Sequence, residues 1–257
     1  MIALAIAAVL LVVLFFFMVF PRVGRRAAAF ENIRFAHRGL HGNGVTENTA
    51  EAFRLATENG YAMEFDVHLS SDKIAVVTHD YDLKRVFGRD EKVASLTADE
   101  LKEIGVPTLT EVLGIVGGKV PLLIEIKGET PDTSVCEVTA EILDKYDGKW
   151  CMESFNPLYV RWFRLHRPKV VRGQLSRHFT KGDTFGQSVM NYVLRFFLSN
   201  CLCRPDFVAY NCEDDDVMPR LLRLLGASLF AWTVRSAEDE VKALRHYDSI
   251  IFEHYRP

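Results

Sequence analysis

The chain has no cysteine framework: Cys136, Cys151, Cys201, Cys203 and Cys212 are odd in number and lack the spacing of a disulfide-stapled domain. They read as reduced thiols, and Cys201 and Cys203 stand too far from any histidine pair to suggest zinc. There is also no excess of charge of one sign. A net charge of −3 and the absence of basic residues gathered with aromatic ones speak against a nucleic-acid partner. One stretch lacks polar side chains altogether. Ile2 to Phe20 is wholly apolar, and at a helical rise of about 1.5 Å per residue it would reach about 28 Å, the hydrocarbon thickness of a bilayer.

That run is read as a transmembrane helix. Ala27-Ala28-Ala29 could serve as a signal-cleavage site, but no basic residue precedes the run, and it exceeds the roughly 7–15 residues of a signal core. Arg22, Arg25 and Arg26 follow directly. The positive-inside bias then places the remainder in the cytoplasm, as a single-pass protein of the cell membrane. The expected organisation is a transmembrane helix over 1–21, a basic linker over 22–31 and one catalytic domain over 32–257.

From Ile33 onward β-rich runs alternate with amphipathic helical stretches. Eight strands are expected near 33–37, 62–67, 120–125, 150–154, 170–174, 206–210, 228–234 and 249–253. Helices fit between them over Glu51–Glu58, Glu111–Val116, Ser134–Tyr146, Leu158–His166, Gln187–Asn200, Val217–Leu225 and Glu238–His246. Repeated βα units of this length predict an α/β fold, a closed (β/α)8 TIM barrel, with no residues left after the last strand for an eighth outer helix. Only Leu69 to Lys73 separates the second strand from Ile74 to Thr78, too short for a parallel crossover, so these form a hairpin. A turn at Ser71-Asp72 would set Glu64 across from His79. Residues 81–106 form an insertion, and Thr97-Ala98-Asp99-Glu100 reads as a capping box opening a short helix.

Charged residues close several of these strands. Glu64 and Asp66, two residues apart, share one face of a strand, and Glu125 and Lys127 repeat the arrangement. His37 and Arg38 end the first strand; His79 follows the hairpin. In a barrel of this kind such positions gather at the C-terminal rim. Three carboxylates there require a cation, Mg2+ or Ca2+, held by Glu64, Asp66 and Glu125. Two histidines offer an acid and a base, and Arg38 and Lys127 offer contacts to phosphate oxygens, a set suited to phosphodiester cleavage.

His37-Arg38-Gly39, Glu47-Asn48-Thr49, Glu64-Phe65-Asp66-Val67, His79-Asp80, Glu125-Ile126-Lys127, Ser154-Phe155, Trp232-Thr233 and Asp248-Ser249-Ile250-Ile251 occur in that order. With these motifs the chain resembles the glycerophosphodiester phosphodiesterase family, within the wider group that includes phosphatidylinositol-specific phospholipases C. The resemblance spans about Ile33 to Pro257. It implies a barrel with an insertion after the hairpin, catalytic histidines at His37 and His79, metal carboxylates at Glu64, Asp66 and Glu125, and phosphate contacts at Arg38 and Lys127. The implied reaction releases glycerol 3-phosphate and an alcohol from a glycerophosphodiester, with the glycerol 2-hydroxyl or water as nucleophile. Arg235, Glu253 and Ser249 depart from the Asn, Asp and Gly that the family often carries, which touches substrate selection more than chemistry.

Plainer roles stand beside these. Trp232 either contacts the glycerol or simply packs, Lys127 either binds phosphate or balances Glu125, and Glu47 and Asn48 either cap the first helix or brace the site. His41, His68, His166, His178, His246 and His254 are expected on surfaces or loops. Phe185 to Cys203 carries only a narrow polar stripe, which suits either a barrel helix flanked on both sides or a membrane-facing element. The second suits a lysophospholipid substrate and lysophospholipase D activity; a non-catalytic membrane-binding protein is the third reading. Subunit association is left open.

Overall fold

The computed structural model describes residues 1–257 except 23, 129, 181–183 and 215. The chain opens with α1 (Ile2–Val19), then β1 (Arg34–Ala36), α2 (Ala50–Glu58), β2 (Ala62–Leu69), β3 (Ala75–Val77), α3 (Lys84–Phe87), α4 (Ala98–Ile104), α5 (Leu109–Val116) and β4 (Leu122–Ile126). The second half runs α6 (Ser134–Leu143), β5 (Trp150–Ser154), α7 (Pro157–His166), β6 (Arg172–Ser176), α8 (Phe185–Arg195), α9 (Asn200–Cys203), β7 (Phe207–Asn211), α10 (Val217–Leu224), β8 (Ser228–Val234), α11 (Ala237–Ala243) and β9 (Ser249–Phe252).

Eight parallel strands in the order β1-β9-β8-β7-β6-β5-β4-β2 close on themselves through β1 and β2, a TIM barrel. The period-two alternation of each strand sorts its side chains. Phe35, Ala62, Leu123, Cys151, Phe207, Phe230 and Ile251 form one buried cluster, in which Phe207 and Phe230 stack at 4.2 Å. Their strand neighbours Ala36, Met63, Leu122, Met152 and Ile250 belong to a separate cluster with Phe53, Val112, Ala140 and Phe163 of the surrounding helices.

The hairpin exists, with a different register. Val67 pairs with Val77 and Leu69 with Ala75, so the loop is Ser71–Lys73, three residues rather than two, with Lys73 at φ 63°. A third loop residue in the left-handed region is a standard three-residue hairpin solution. The extra residue shifts every partner by one: Asp66, not Glu64, meets the strand after β3, its carbonyl accepting from Thr78 N at 3.1 Å. His79 therefore reaches the carboxylates from one step further along. The insertion folds around Leu83, Val93, Leu101 and Val106, and Thr97 forms the expected capping box with Glu100.

Two further stretches differ from expectation. The helix expected over Gln187–Asn200 is broken into α8 and α9, with Phe197 at φ 54° between them. Within 22–31, Arg25–Phe30 forms a 3-10 helix whose Ala27 and Phe30 join the inner barrel cluster, so this stretch plugs the barrel floor instead of tethering it loosely. The end of α1 is fastened nearby. Asn200 Nδ2 donates to Val19 O at 2.8 Å, Arg204 Nη1 to Phe20 O at 2.6 Å, and Arg22 N to Pro205 O at 2.9 Å. The rest of α1 is long and apolar enough to cross a membrane and is exposed.

Candidate active site

The inward-facing series that is apolar at the floor turns acidic toward the rim. On β2 it runs Ala62, Glu64, Asp66; on β4, Leu123, Glu125; on β5, Cys151, Glu153. Asp66 lies in register with Glu125, and Glu125 with Glu153. Glu64, Asp66 and Glu125 are buried and bring carboxylate oxygens within 4.8 Å of one another. Glu64 and Glu125 open on a cavity of about 490 Å³ that is also lined by His37, Arg38, His79, Lys127 and Trp232. The structure thus brings together every residue singled out in the sequence.

Each histidine is held by a carboxylate on Nδ1. His37 Nδ1 donates to Glu253 Oε2 at 2.5 Å, and His79 Nδ1 to Asp80 Oδ1 at 2.6 Å. This fixes the tautomer and leaves each Nε2 for the cavity; that of His37 stands 3.9 Å from Glu64 Oε2. Burial lowers the ionisation of both imidazoles, opposed by Glu253 at His37 and by Asp66 at His79. The loop after β1 sets this geometry. Arg38 sits at φ 55° and Gly39 at φ 78°, and a Cβ on Gly39 would lie 3.0 Å from the backbone of Ala52. Any side chain there would push α2 from the site.

Lys127 Nζ lies 2.8 Å from Glu125 Oε1 and 3.0 Å from Asp66 Oδ1, so it balances the carboxylates directly. Arg38 N donates to Glu64 Oε2 at 3.1 Å, its Nη1 to Glu47 Oε1 at 2.7 Å, and its Nε lies 3.7 Å from Asp66 Oδ2. Asn48 Nδ2 donates to Asp66 Oδ2 at 2.9 Å. Glu47 and Asn48 brace the site; Thr49, not either of them, caps α2. Burial pushes the Asp66 carboxyl up, but Lys127, His79 and Arg38 outweigh it and hold Asp66 well below the usual range. The others are less well compensated. Burial, with Asp66, Glu125 and Glu153 beside it, drives Glu64 well above the ordinary carboxyl value, and burial raises Glu125 to about 7 against the pull of Lys127. Oxygen donors with unbalanced negative charge, packed this closely, suit a hard divalent cation.

Several contributors escaped the sequence reading. Glu153 lines the cavity, and the signal was a lone acid inside an apolar strand two residues from Cys151. Arg85, from the insertion, donates to Glu47 Oε1 at 2.6 Å and to Asp80 Oδ2 at 2.7 Å, a position no local pattern reveals. His41 and His254 lie in loops as expected, His254 exposed, and these loops bring both to the cavity, where their rings meet edge to face at 5.6 Å. His68 is buried and donates from Nε2 to His79 O at 3.1 Å. Of the departing residues, Arg235 donates to Glu253 at 2.8 Å within the site, whereas Ser249 Oγ donates to Phe30 O at the barrel floor.

The sequence profile of the glycerophosphoryl diester phosphodiesterase family matches residues 37–254. The chain belongs to that family. This phosphodiesterase is 28% identical over 229 residues to a glycerophosphodiester phosphodiesterase of Caldanaerobacter subterraneus subsp. tengcongensis, covering 82% of this chain and 88% of that one. A glycerophosphodiester phosphodiesterase of Thermotoga maritima has a similar structure, with 30% identity, a TM-score of 0.67 and coverage of 86% and 93%. A phosphodiesterase of Oleispira antarctica, solved with its product sn-glycerol-3-phosphate, shares the fold at 22% identity and a TM-score of 0.71, with coverage of 88% and 94%. The chain is accordingly a phosphoric diester hydrolase acting on glycerophosphodiesters.

Proposed function

We propose that this enzyme releases glycerol 3-phosphate by metal-dependent histidine acid/base catalysis. The observation that carries the reading is the convergence of three buried carboxylates, two carboxylate-held imidazoles and two basic groups in one cavity. Glu64, Asp66 and Glu125 would hold one divalent cation, Mg2+ or Ca2+, which when bound supplies positive charge against the phosphate oxygens. Arg38 and Lys127 orient the phosphate from the side. Of His37 and His79, each presenting Nε2, one removes the proton of the nucleophile and the other protonates the departing alcohol. Trp232 offers its ring to the glycerol.

Glycerol 3-phosphate release from glycerophosphocholine, followed with Mg2+ or Ca2+ and then with EDTA, tests this in wild type, His37→Ala and His79→Ala. Both variants should fold and lose turnover; wild-type rates in either, or full activity in EDTA, would overturn the assignment.

We further propose that α1 spans the cell membrane with the barrel on the cytoplasmic side. Its support is the exposed apolar length of α1 followed by Arg22, Arg25 and Arg26. Protection of the barrel from external protease in intact cells is the expected result. A lysophospholipid substrate is the second reading, favoured by α8, which buries no residue and exposes Phe185, Val189, Met190 and Tyr192. Rates on lysophosphatidylcholine against glycerophosphocholine separate the two.

A further inference from the structure

Two polar atoms on the cavity wall have no task in the chemistry above. Glu153 is 1% exposed, and it lies outside the group of carboxylates that gather within 4.8 Å. Its Oε2 is buried without a hydrogen-bond partner, and so is the indole Nε1 of Trp232. Both residues line the same cavity. Native structures rarely leave buried donors and acceptors unmade, and these two, with Arg38 Nε and His41 Nε2 also unmade on the same cavity, point to a ligand that completes them.

The chemistry of that ligand follows from the pair. A carboxyl oxygen accepts a hydrogen bond whether the group is ionised or not, and an indole N–H only donates. A hydroxyl can answer either. The wall beside them is apolar: Phe155 meets Trp232 edge to face at 5.7 Å, and Leu175 and Ile251 complete it. Carbon flanked by hydroxyls matches such a wall: a hydroxyl both gives and takes a hydrogen bond and so can answer Glu153 in either protonation state, whereas an ester oxygen only accepts and leaves an ionised Glu153 unmet.

We infer that Glu153 is a specificity-determining residue that, with Trp232, reads the free hydroxyls of the substrate's glycerol. The site then takes deacylated glycerophosphodiesters ahead of lysophospholipids. This deepens the glycerophosphodiester reading and rests on it.

The test compares kcat/KM on glycerophosphocholine with kcat/KM on bis(4-nitrophenyl) phosphate, which carries no hydroxyl. In Glu153→Leu the ratio should fall at least about tenfold, because sites that hydrogen-bond a substrate hydroxyl discriminate steeply. A ratio within twofold of wild type overturns the inference. A second measurement needs no variant: on the wild-type enzyme, glycerol 3-phosphate should inhibit at least about tenfold more tightly than n-propyl phosphate, which differs by its two missing hydroxyls. Equal inhibition overturns the inference while leaving the phosphodiesterase reading intact. Wild-type turnover of the aryl diester with none of glycerophosphocholine would overturn both.

Discussion

Replacing Glu253 by Gln removes one negative charge from behind His37 and little else. In the native site the Glu253 carboxylate receives His37 Nδ1 at 2.5 Å and Arg235 Nε at 2.8 Å. Burial pushes this carboxyl up, but His37 and Arg235 prevail and hold it at about 2, so it is ionised at every working pH. Because that value lies below the ordinary 4.5, the pairing stabilises the fold above about pH 4.5, and the contribution disappears as the pH falls toward 2. At His37 the same contact opposes the lowering caused by burial. A charge-assisted hydrogen bond of this kind contributes about 1.5–3 kcal/mol, and at about 1.4 kcal/mol per decade its loss from a proton-transferring imidazole costs about 10- to 100-fold in kcat. If the amide also reverses the tautomer, the loss approaches the ten-thousandfold known for a comparable carboxylate-to-amide change.

The assay is kcat on glycerophosphocholine as a function of pH, for wild type, Glu253→Gln and Glu253→Asp. With the carboxylate gone, His37 protonates only at lower pH, so the limb of the profile that His37 sets, the acid limb for a base and the alkaline limb for an acid, should move down in Glu253→Gln and less in Glu253→Asp. A kcat within threefold of wild type together with both limbs unmoved would refute the claim that Glu253 positions and charges His37.

Lys127→Met should destabilise the cation-free protein by about 3–5 kcal/mol, since it strands Asp66 and Glu125 without their buried partner. Thermal melting in EDTA reads the loss, and a melting temperature equal to that of wild type would contradict the pairing. Glu125, raised by burial to about 7, binds more protons folded than unfolded between about pH 4.5 and 7. The cation-free protein should therefore lose stability as the pH rises through that window, while Ca2+ affinity, measured by calorimetry, rises with it; affinity independent of pH from 5 to 8 would count against Glu125 as a ligand.

Most of the eight strands were legible because buried parallel strands leave apolar runs; β6, Arg-Gly-Gln-Leu-Ser, is the exception and lies two residues later than expected. The clustered carboxylates were legible for the same reason, as Glu64, Asp66 and Glu125 interrupt runs that are otherwise apolar. What failed was local. The hairpin register turned on whether Lys73 adopts the left-handed region, and no side chain in Ser71-Asp72-Lys73 announces that. The break after Arg195 likewise depends on Phe197 at φ 54°, a conformation its sequence disfavours and its burial between Tyr210 and the neighbouring apolar residues enforces. Arg85 was invisible because its partners Glu47 and Asp80 belong to other loops, and only the folded insertion brings it to them.

The acidic rim is consistent with a stable barrel because the two ends of the cylinder do different work. At the floor, Phe35, Phe207 and Phe230 pack with Phe30 from the plug in an apolar layer. Near the rim, Glu64, Asp66, Glu125 and Glu153 are all buried, and Lys127 and Arg38 are the cations beside them. Compensation is uneven: Asp66 is held ionised, whereas Glu64 and Glu153 are driven well above the ordinary carboxyl range by burial and by one another's neighbours. A carboxyl raised in this way favours its protonated form, and a divalent cation competes for the same oxygens. Binding of the proposed cation would therefore relieve a repulsion that the fold already contains, and part of the binding free energy would reappear as folding stability. The uncompensated negative charge that makes the cation-free rim costly would thus be the same feature that selects a doubly charged ion over a single proton near neutral pH.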